Sequence, residues 1–374
     1  FAGLYLVPGR LDDAKSLLTG LAGRLRNGLL PADVPDAGAG PAGRGADVSL
    51  WFVNAVHQFA AYGGDEATVE RLLLPAVARV IDAYRHGTDL GVAIDADGLI
   101  RCGLPDAAAT WMDAAVGGRP VTPRAGRPVE VNALWYNALE AAADLCRRAG
   151  RPGDAEAYGS AAARTRAAFN RRFWNGDRRC CLDLVGDDVA GDDPSVRPNQ
   201  LLAVSLPFPV LTPDRWPAVV AVVRDDLLTP AGVRTLGRQD PRYVGRYSGP
   251  IADRDRAVHN GSAFPWLLGP YVTALVRAAG PVGATAARDE ARAVLAASIN
   301  RLRGDGLGHL PELCDGDAPH APGGAVASAL SVAELLRCYA EDVLGRTPRR
   351  AIGSPPMAVP AVRVVPRTDL LYPA

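Results

Sequence analysis

Val131, Leu134, Trp135, Ala138, Leu139, Ala142 and Leu145 recur at three- and four-residue steps, so they share one face of a helix, and Gly150 with Pro152 ends it. A partner begins at once. Asp154 is placed to cap a helix carrying Tyr158, Ala161, Ala162, Thr165 and Phe169 through to Phe173. Similar amphipathic stretches fall at roughly 11–27, 47–62, 67–86, 213–226, 259–279, 282–303 and 324–343. A chain patterned in this way is built mostly from paired helices.

The joints between them are of two kinds. Gly63-Gly64 and Gly150-Arg151-Pro152-Gly153 are tight, whereas 87–129, 174–197, 235–258 and 304–322 are long, rich in Gly, Pro and Asp, and carry aromatics. Long loops in a compact domain are usually functional. The alternation therefore predicts a helical assembly with one plain end and one elaborated end. After about residue 345 the periodicity stops, and 346–374 reads as a Pro/Arg-rich tail or linker.

Composition removes several classes of function. With 374 residues, 48% of them hydrophobic and 22% charged, the chain can bury a large core. Its formal charge is zero, Lys15 is its only lysine, and the arginines are scattered among Asp and Glu, so no basic patch marks it for nucleic acid. Nor does any apolar run have the length to cross a bilayer. Six Cys, including the vicinal Cys180-Cys181, lack CxxC spacing, and five His form no HExxH. No metal or cofactor is expected, and free thiols point to a reducing, cytoplasmic setting. The oligomeric state is not encoded legibly. A first residue of Phe is read as a fragment, a processed product or an incompletely recorded start.

Chemistry concentrates in two places. Ala109-Thr110-Trp111-Met112-Asp113-Ala114, followed by Arg127 through Tyr136, sets carboxylates beside indoles and amides at the mouth of a helix. Indoles stack on the apolar faces of a pyranose, amides and carboxylates bind its hydroxyls, and one carboxylate can protonate a glycosidic oxygen. Far downstream, Leu310-Pro311-Glu312-Leu313-Cys314-Asp315-Gly316 offers a second acid. Two acidic groups on separate loops are what glycoside hydrolysis requires.

Six motifs in order carry a resemblance: Thr110 to Ala114; Gly126 to Leu139; Arg197-Pro198-Asn199-Gln200-Leu201; His259-Asn260-Gly261 with Pro265-Trp266-Leu267-Leu268-Gly269-Pro270; Leu310-Pro311-Glu312; and Ser331 to Leu336. Over residues 1–345 they closely resemble the glucosidase domain of glycogen debranching enzymes, the amylo-alpha-1,6-glucosidase family. The resemblance implies an all-α fold, an (α/α)6 barrel with its active site at the loop-rich end. It also implies hydrolysis, with inversion, of the alpha-1,6-linked glucose stub on glycogen or another branched alpha-glucan. On it Asp113 corresponds to the general acid and Glu312 to the general base. Asp47, within Ala46-Asp47-Val48-Ser49-Leu50-Trp51-Phe52, matches a further motif and would bind glucose hydroxyls. Further substrate contacts are expected from Trp51, Trp111, Glu130, Asn132, Trp135, Asn137, Gln200, His259 and Trp266.

Several of these side chains also suit structural roles. Trp135 and Trp266 lie on apolar helical faces, Asn132, Asn137 and Gln200 suit buried amides satisfied by backbone, and Asp47 precedes a helix it could cap. His57 and His86 read as structural. The chain also departs from the family pattern. Phe264 and Leu330 stand where the family typically has Trp, Ser328 where it has Gln, and the chain begins after the usual Trp-Gly-Arg-Asp run. Part of the first helix and one sugar-binding carboxylate are therefore expected to be missing. Alternatives are a sugar-binding barrel with impaired catalysis, a trehalase- or glucoamylase-like hydrolase, or a tetratricopeptide-like scaffold, although no 34-residue period recurs.

Overall fold

The computed structural model describes residues 1–31, 45–88, 90–103, 110–186, 191–303 and 308–346. Apart from residue 346, the expected tail lies outside them. In chain order the helices are α1 (Ala2–Leu6, a single π-helical turn), α2 (Leu11–Ala22), α3 (Val48–Ala61), α4 (66–86), α5 (Val129–Arg148), α6 (Pro152–Arg172), α7 (198–205), α8 (Trp216–Asp226), α9 (Ile251–Val258), α10 (265–279), α11 (281–303) and α12 (329–343). Between α10 and α11, Gly280 adopts φ +62° and Pro281 follows, so one helix cannot run through.

Packing sorts the helices into two rings. α1 touches α3, α3 touches α5, α5 touches α7, α7 touches α10, α10 touches α12, and α12 returns to α1. That closed circuit of six is the inner ring of an (α/α)6 barrel. Outside it α2 packs on α1 and α3, α4 on α3 and α5, and α6 on α5. α8 bridges α10 and α11, with Arg224 reaching Tyr271 at 3.3 Å and Glu290 at 2.6 Å.

Burial follows the rings. α5 is buried almost all round, from Val129 through Leu139 and again over Ala141–Ala143, Leu145 and Cys146, as a helix enclosed by neighbours must be. Its outer partner α6 buries only the stripe Ala155, Tyr158, Ala162, Thr165, Ala168 and Phe169. Trp135 is locked in the core, stacked on Tyr84 at 5.9 Å. His57 pairs with Asp144 at 3.1 Å and His86 with the Asp82 carbonyl at 2.8 Å, so both serve structure.

The loops are more ordered than helical periodicity predicts. Segments Leu228–Thr229, Gly232–Arg234, Ala263–Phe264, Leu313–Cys314 and Pro322–Gly323 pair into one five-stranded antiparallel sheet. The helix expected over 259–279 therefore starts only at Pro265. Before it, Gly261 holds φ +155° against the Val244 carbonyl, where an added Cβ would lie 2.2 Å from the oxygen, and the next residues turn into the sheet. That sheet ties the loop bearing Glu312 to the segment just after His259.

Candidate active site

A cavity of about 870 Å³ opens among the segments that precede inner helices α3, α5, α10 and α12. Asp47, Trp51, Trp111, Asp113, Glu130, His259, Trp266 and Glu312 all line it. Asp113 and Glu312, 199 positions apart in sequence (312 minus 113), thus face one space. Asn132, Trp135, Asn137 and Gln200 are not brought to it. Asn132 accepts from the Ile100 N–H at 2.7 Å and donates to the Ile100 and Pro128 carbonyls; Gln200 accepts from the Cys181 N–H at 3.1 Å. Asn137 links Asn54 to the Phe208 N–H, both at 3.1 Å. Their polar groups are thereby committed to backbone and neighbouring side chains, and they shape the wall from behind.

Trp111 is the hub. Its indole meets His259, Phe264 and Trp266 edge-on, at 5.2, 5.7 and 5.2 Å, which is a favoured aromatic geometry. Its Nε1–H donates to Asn199 Oδ1 at 2.9 Å, and its backbone N–H donates to Asp47 Oδ2 at 3.1 Å. Asp47 occupies the N-cap position of α3, yet its side chain makes no capping bond there. The carboxylate instead anchors the loop that delivers Asp113. Met112, fully buried between Trp111 and Asp113, fixes the loop from the other side.

Behind Trp111 runs a buried ionic chain, of which Glu130 alone was among the expected site residues. Asn199 Nδ2 donates to Asp183 Oδ1 at 2.8 Å, and Arg124 lies between Asp183 and Glu130, binding both. Arg197 lies 3.6 Å from Asp183 and reaches Asn260 Oδ1 at 3.0 Å. Burial raises the Glu130 carboxyl, and the Arg124 guanidinium opposes it. A signal was present for Arg197 and Asn199, since both stand in the 197–201 motif. Arg124 and Asp183 carry none, because their pairing joins loops 59 residues apart.

Glu312 is exposed to the cavity and held by its neighbour strand: its Oε2 accepts from the Ala325 N–H at 2.8 Å, while its own N–H donates to the Ala325 carbonyl at 2.9 Å. Gly324, at φ +66°, makes this possible. A Cβ there would come within 2.5 Å of the Glu312 carboxylate. Ser328, in place of the family's Gln, accepts from the Ser331 N–H at 3.2 Å and caps α12. Toward the other end of the barrel the wall is ionic: Arg337 binds Glu334, Glu341 and Asp342 and donates to Thr273.

Burial, helped by the nearby Asp113 charge, pushes the Asp47 carboxyl up to about 6, against the hydrogen bond from Trp111 that favours its ionised form. The folded chain therefore holds this proton more tightly than the unfolded chain, whose carboxyl titrates near 3.8. Stability from this group is greatest below 3.8 and declines as pH rises from there to about 6. Asp47→Asn keeps an acceptor for the Trp111 N–H and removes the penalty. It is expected to gain up to about 3 kcal/mol at neutral pH, with the gain vanishing toward pH of about 4, in urea unfolding followed across pH.

A closed ring of six inner helices, with an aromatic-lined cavity among the segments that precede them, defines an (α/α)6 barrel. The chain belongs to the amylo-alpha-1,6-glucosidase family, whose profile matches residues 1–337. It is similar to the glycogen debranching enzyme of Saccharomyces cerevisiae, at 23% identity over 358 residues, covering 73% of this chain and 23% of that protein. The chain thus spans under a quarter of that relative's length. In fold it is similar to a rhamnosidase from Klebsiella oxytoca with rhamnose bound, with a TM-score of 0.58, 18% identity, and coverage of 92% of this chain and 57% of the other.

Proposed function

We propose that this chain hydrolyses alpha-1,6-linked glucose at the branch points of glycogen or a related alpha-glucan, with Asp113 as general acid and Glu312 as general base of an inverting displacement. The observation that carries the reading is the convergence of these two carboxyls on one cavity, beside an indole cluster suited to a sugar ring. Asp113 would give its proton to the glycosidic oxygen while Glu312 takes one from the water that attacks C1. Asp47, at the same wall, would receive glucose hydroxyls, whereas Glu130, with both carboxylate oxygens held by Arg124, braces that wall from behind. Cys102, Cys146, Cys180, Cys181 and Cys338 are buried free thiols, which suits a reducing compartment such as the cytosol.

Inversion requires the two carboxyls to stand roughly 6.5–9.5 Å apart with water between them. The first glucose released from a branched limit dextrin is therefore expected to be the beta anomer, read by proton NMR before mutarotation. Alpha-glucose appearing first would mean retention and a covalent intermediate.

One observation favours a second reading, a hydrolase for another alpha-glucoside. Phe264 and Leu330 both line the cavity where the family typically presents indoles, so the aromatic surface offered to a sugar is altered. Comparing isomaltose, maltose and trehalose at equal concentration separates the two. Turnover of maltose or trehalose well above isomaltose would replace the branch-point assignment.

A further inference from the structure

His259 is 3% exposed, and neither ring nitrogen has a hydrogen-bond partner within bonding distance. Its ring is clamped edge-on against Trp111 at 5.2 Å and parallel to Phe264 at 6.1 Å. The backbone is pinned as well, since Arg197 donates to the His259 carbonyl. Facing this fixed ring, Asp113 Oδ1 lies 3.6 Å from Nε2, on a side chain that is 73% exposed. A clamped, unsatisfied ring thus stands beside a solvent-exposed acid.

We infer that a neutral His259 donates its Nε2–H to Asp113, turning the carboxyl toward the cavity and taking up its charge as the proton leaves; the role rests on Asp113 being the general acid. Tautomer choice follows from satisfaction. A buried N–H left without an acceptor costs about 1–3 kcal/mol, and a proton on Nδ1 would be such a group. A proton on Nε2 reaches Asp113 after a movement of a few tenths of an ångström in an exposed side chain. Charged groups around the ring keep it neutral: burial and the Arg197 and Arg124 guanidinium groups disfavour the imidazolium, and Asp113 alone favours it.

The bond is weak to a protonated acid and strengthens as Asp113 becomes a carboxylate, which is the condition for accelerating the step rather than tightening binding. His259 is thus a positioning residue that need not touch the sugar. Asp47, the other carboxyl near Asp113, works in the opposite direction by repelling that charge.

The experiment compares His259→Phe, which keeps the ring volume without a donor, and His259→Gln, which keeps an amide donor, with Asp113→Asn. Each is assayed on a branched limit dextrin and on alpha-glucosyl fluoride, whose leaving group departs without a proton. His259→Phe is expected to lose about 10- to 100-fold in kcat on dextrin, the worth of one hydrogen bond to a charged group, with KM within about twofold. Fluoride hydrolysis should hold, the basic limb of the pH profile should move to higher pH, and His259→Gln should recover most of the loss. Dextrin and fluoride rates falling together without a shifted limb would reduce His259 to a packing residue and overturn the inference. So would unchanged kcat in His259→Phe while Asp113→Asn is inactive; activity retained in Asp113→Asn would instead remove the acid assignment beneath it. Nitrogen NMR of the unmodified protein gives an answer even where His259→Phe does not fold: a protonated, pyrrole-type Nε2 is expected, and a pyridine-type Nε2 overturns the inference.

Discussion

Asp113→Asn and Glu312→Gln are each expected to lower kcat for glucose release from a limit dextrin by about two to four orders of magnitude, the range set by removing one general acid or base. Both substitutions preserve volume, and neither position supports the core. Asp113 projects from a loop with its side chain exposed, and Glu312 keeps its backbone bond to Ala325 whatever its side chain carries. Melting temperatures should therefore stay near the parent's. The two variants should differ in leaving-group dependence, because alpha-glucosyl fluoride bypasses the acid but still needs an activated water. Asp113→Asn should hydrolyse it well and Glu312→Gln poorly. Near-parental dextrin turnover in either variant would remove that residue from the pair.

The parts of this architecture that were legible in the sequence are those built from local periodicity. α5 and α6 announce themselves through a continuous apolar face and the Gly150–Pro152 break, and α4, α8 and α11 lie close to their expected spans. α1, α7 and α9 were not legible. α1 and α7 are too short for a 3.6-residue pattern to emerge, and α9 buries only Ala257, so it has no apolar stripe to read. The five-stranded sheet escaped for a related reason: its strands are two or three residues long, and the pairings that join its two hairpins through Ala263–Phe264 span about 30 and 50 positions.

The site divides along the same line. Residues that meet the sugar cavity stood out because Trp, Asp and Glu in a Gly- and Pro-rich loop have little reason to be there for packing. The amides Asn132, Asn137 and Gln200 carry the same chemical vocabulary, yet their bonds run to backbone at the ends of inner helices. Only the third dimension separates an amide that binds a ligand from one that closes a loop. In the supporting chain Glu130 stood among the expected sugar contacts and Asn199 within the 197–201 motif, but Arg124 and Asp183 were illegible in a stronger sense, since neither is remarkable until the other is beside it.

That chain carries the largest stability effect expected in the molecule. Arg124, Glu130 and Asp183 are essentially inaccessible to solvent, and the one guanidinium serves both carboxylates. Replacing such a triad with apolar groups of matching shape can be neutral, but removing one partner strands the others without solvent. Arg124→Met is therefore expected to destabilise the fold by about 3–5 kcal/mol in urea unfolding, whereas breaking the exposed Arg292–Asp289 pair should change it by at most about 1 kcal/mol. Adding Glu130→Gln to Arg124→Met removes the carboxylate left without a counter-charge, since Asp183 keeps Arg197 at 3.6 Å, and should recover part of the loss, a non-additivity that separates uncompensated charge from lost packing. Activity should not return with stability. Arg124 holds Asp183, Asp183 orients Asn199, and Asn199 holds the Trp111 indole against His259 and Trp266, so the recovered variant would fold around a loosened platform. A double variant as unstable as Arg124→Met would assign the effect to packing of the guanidinium stem.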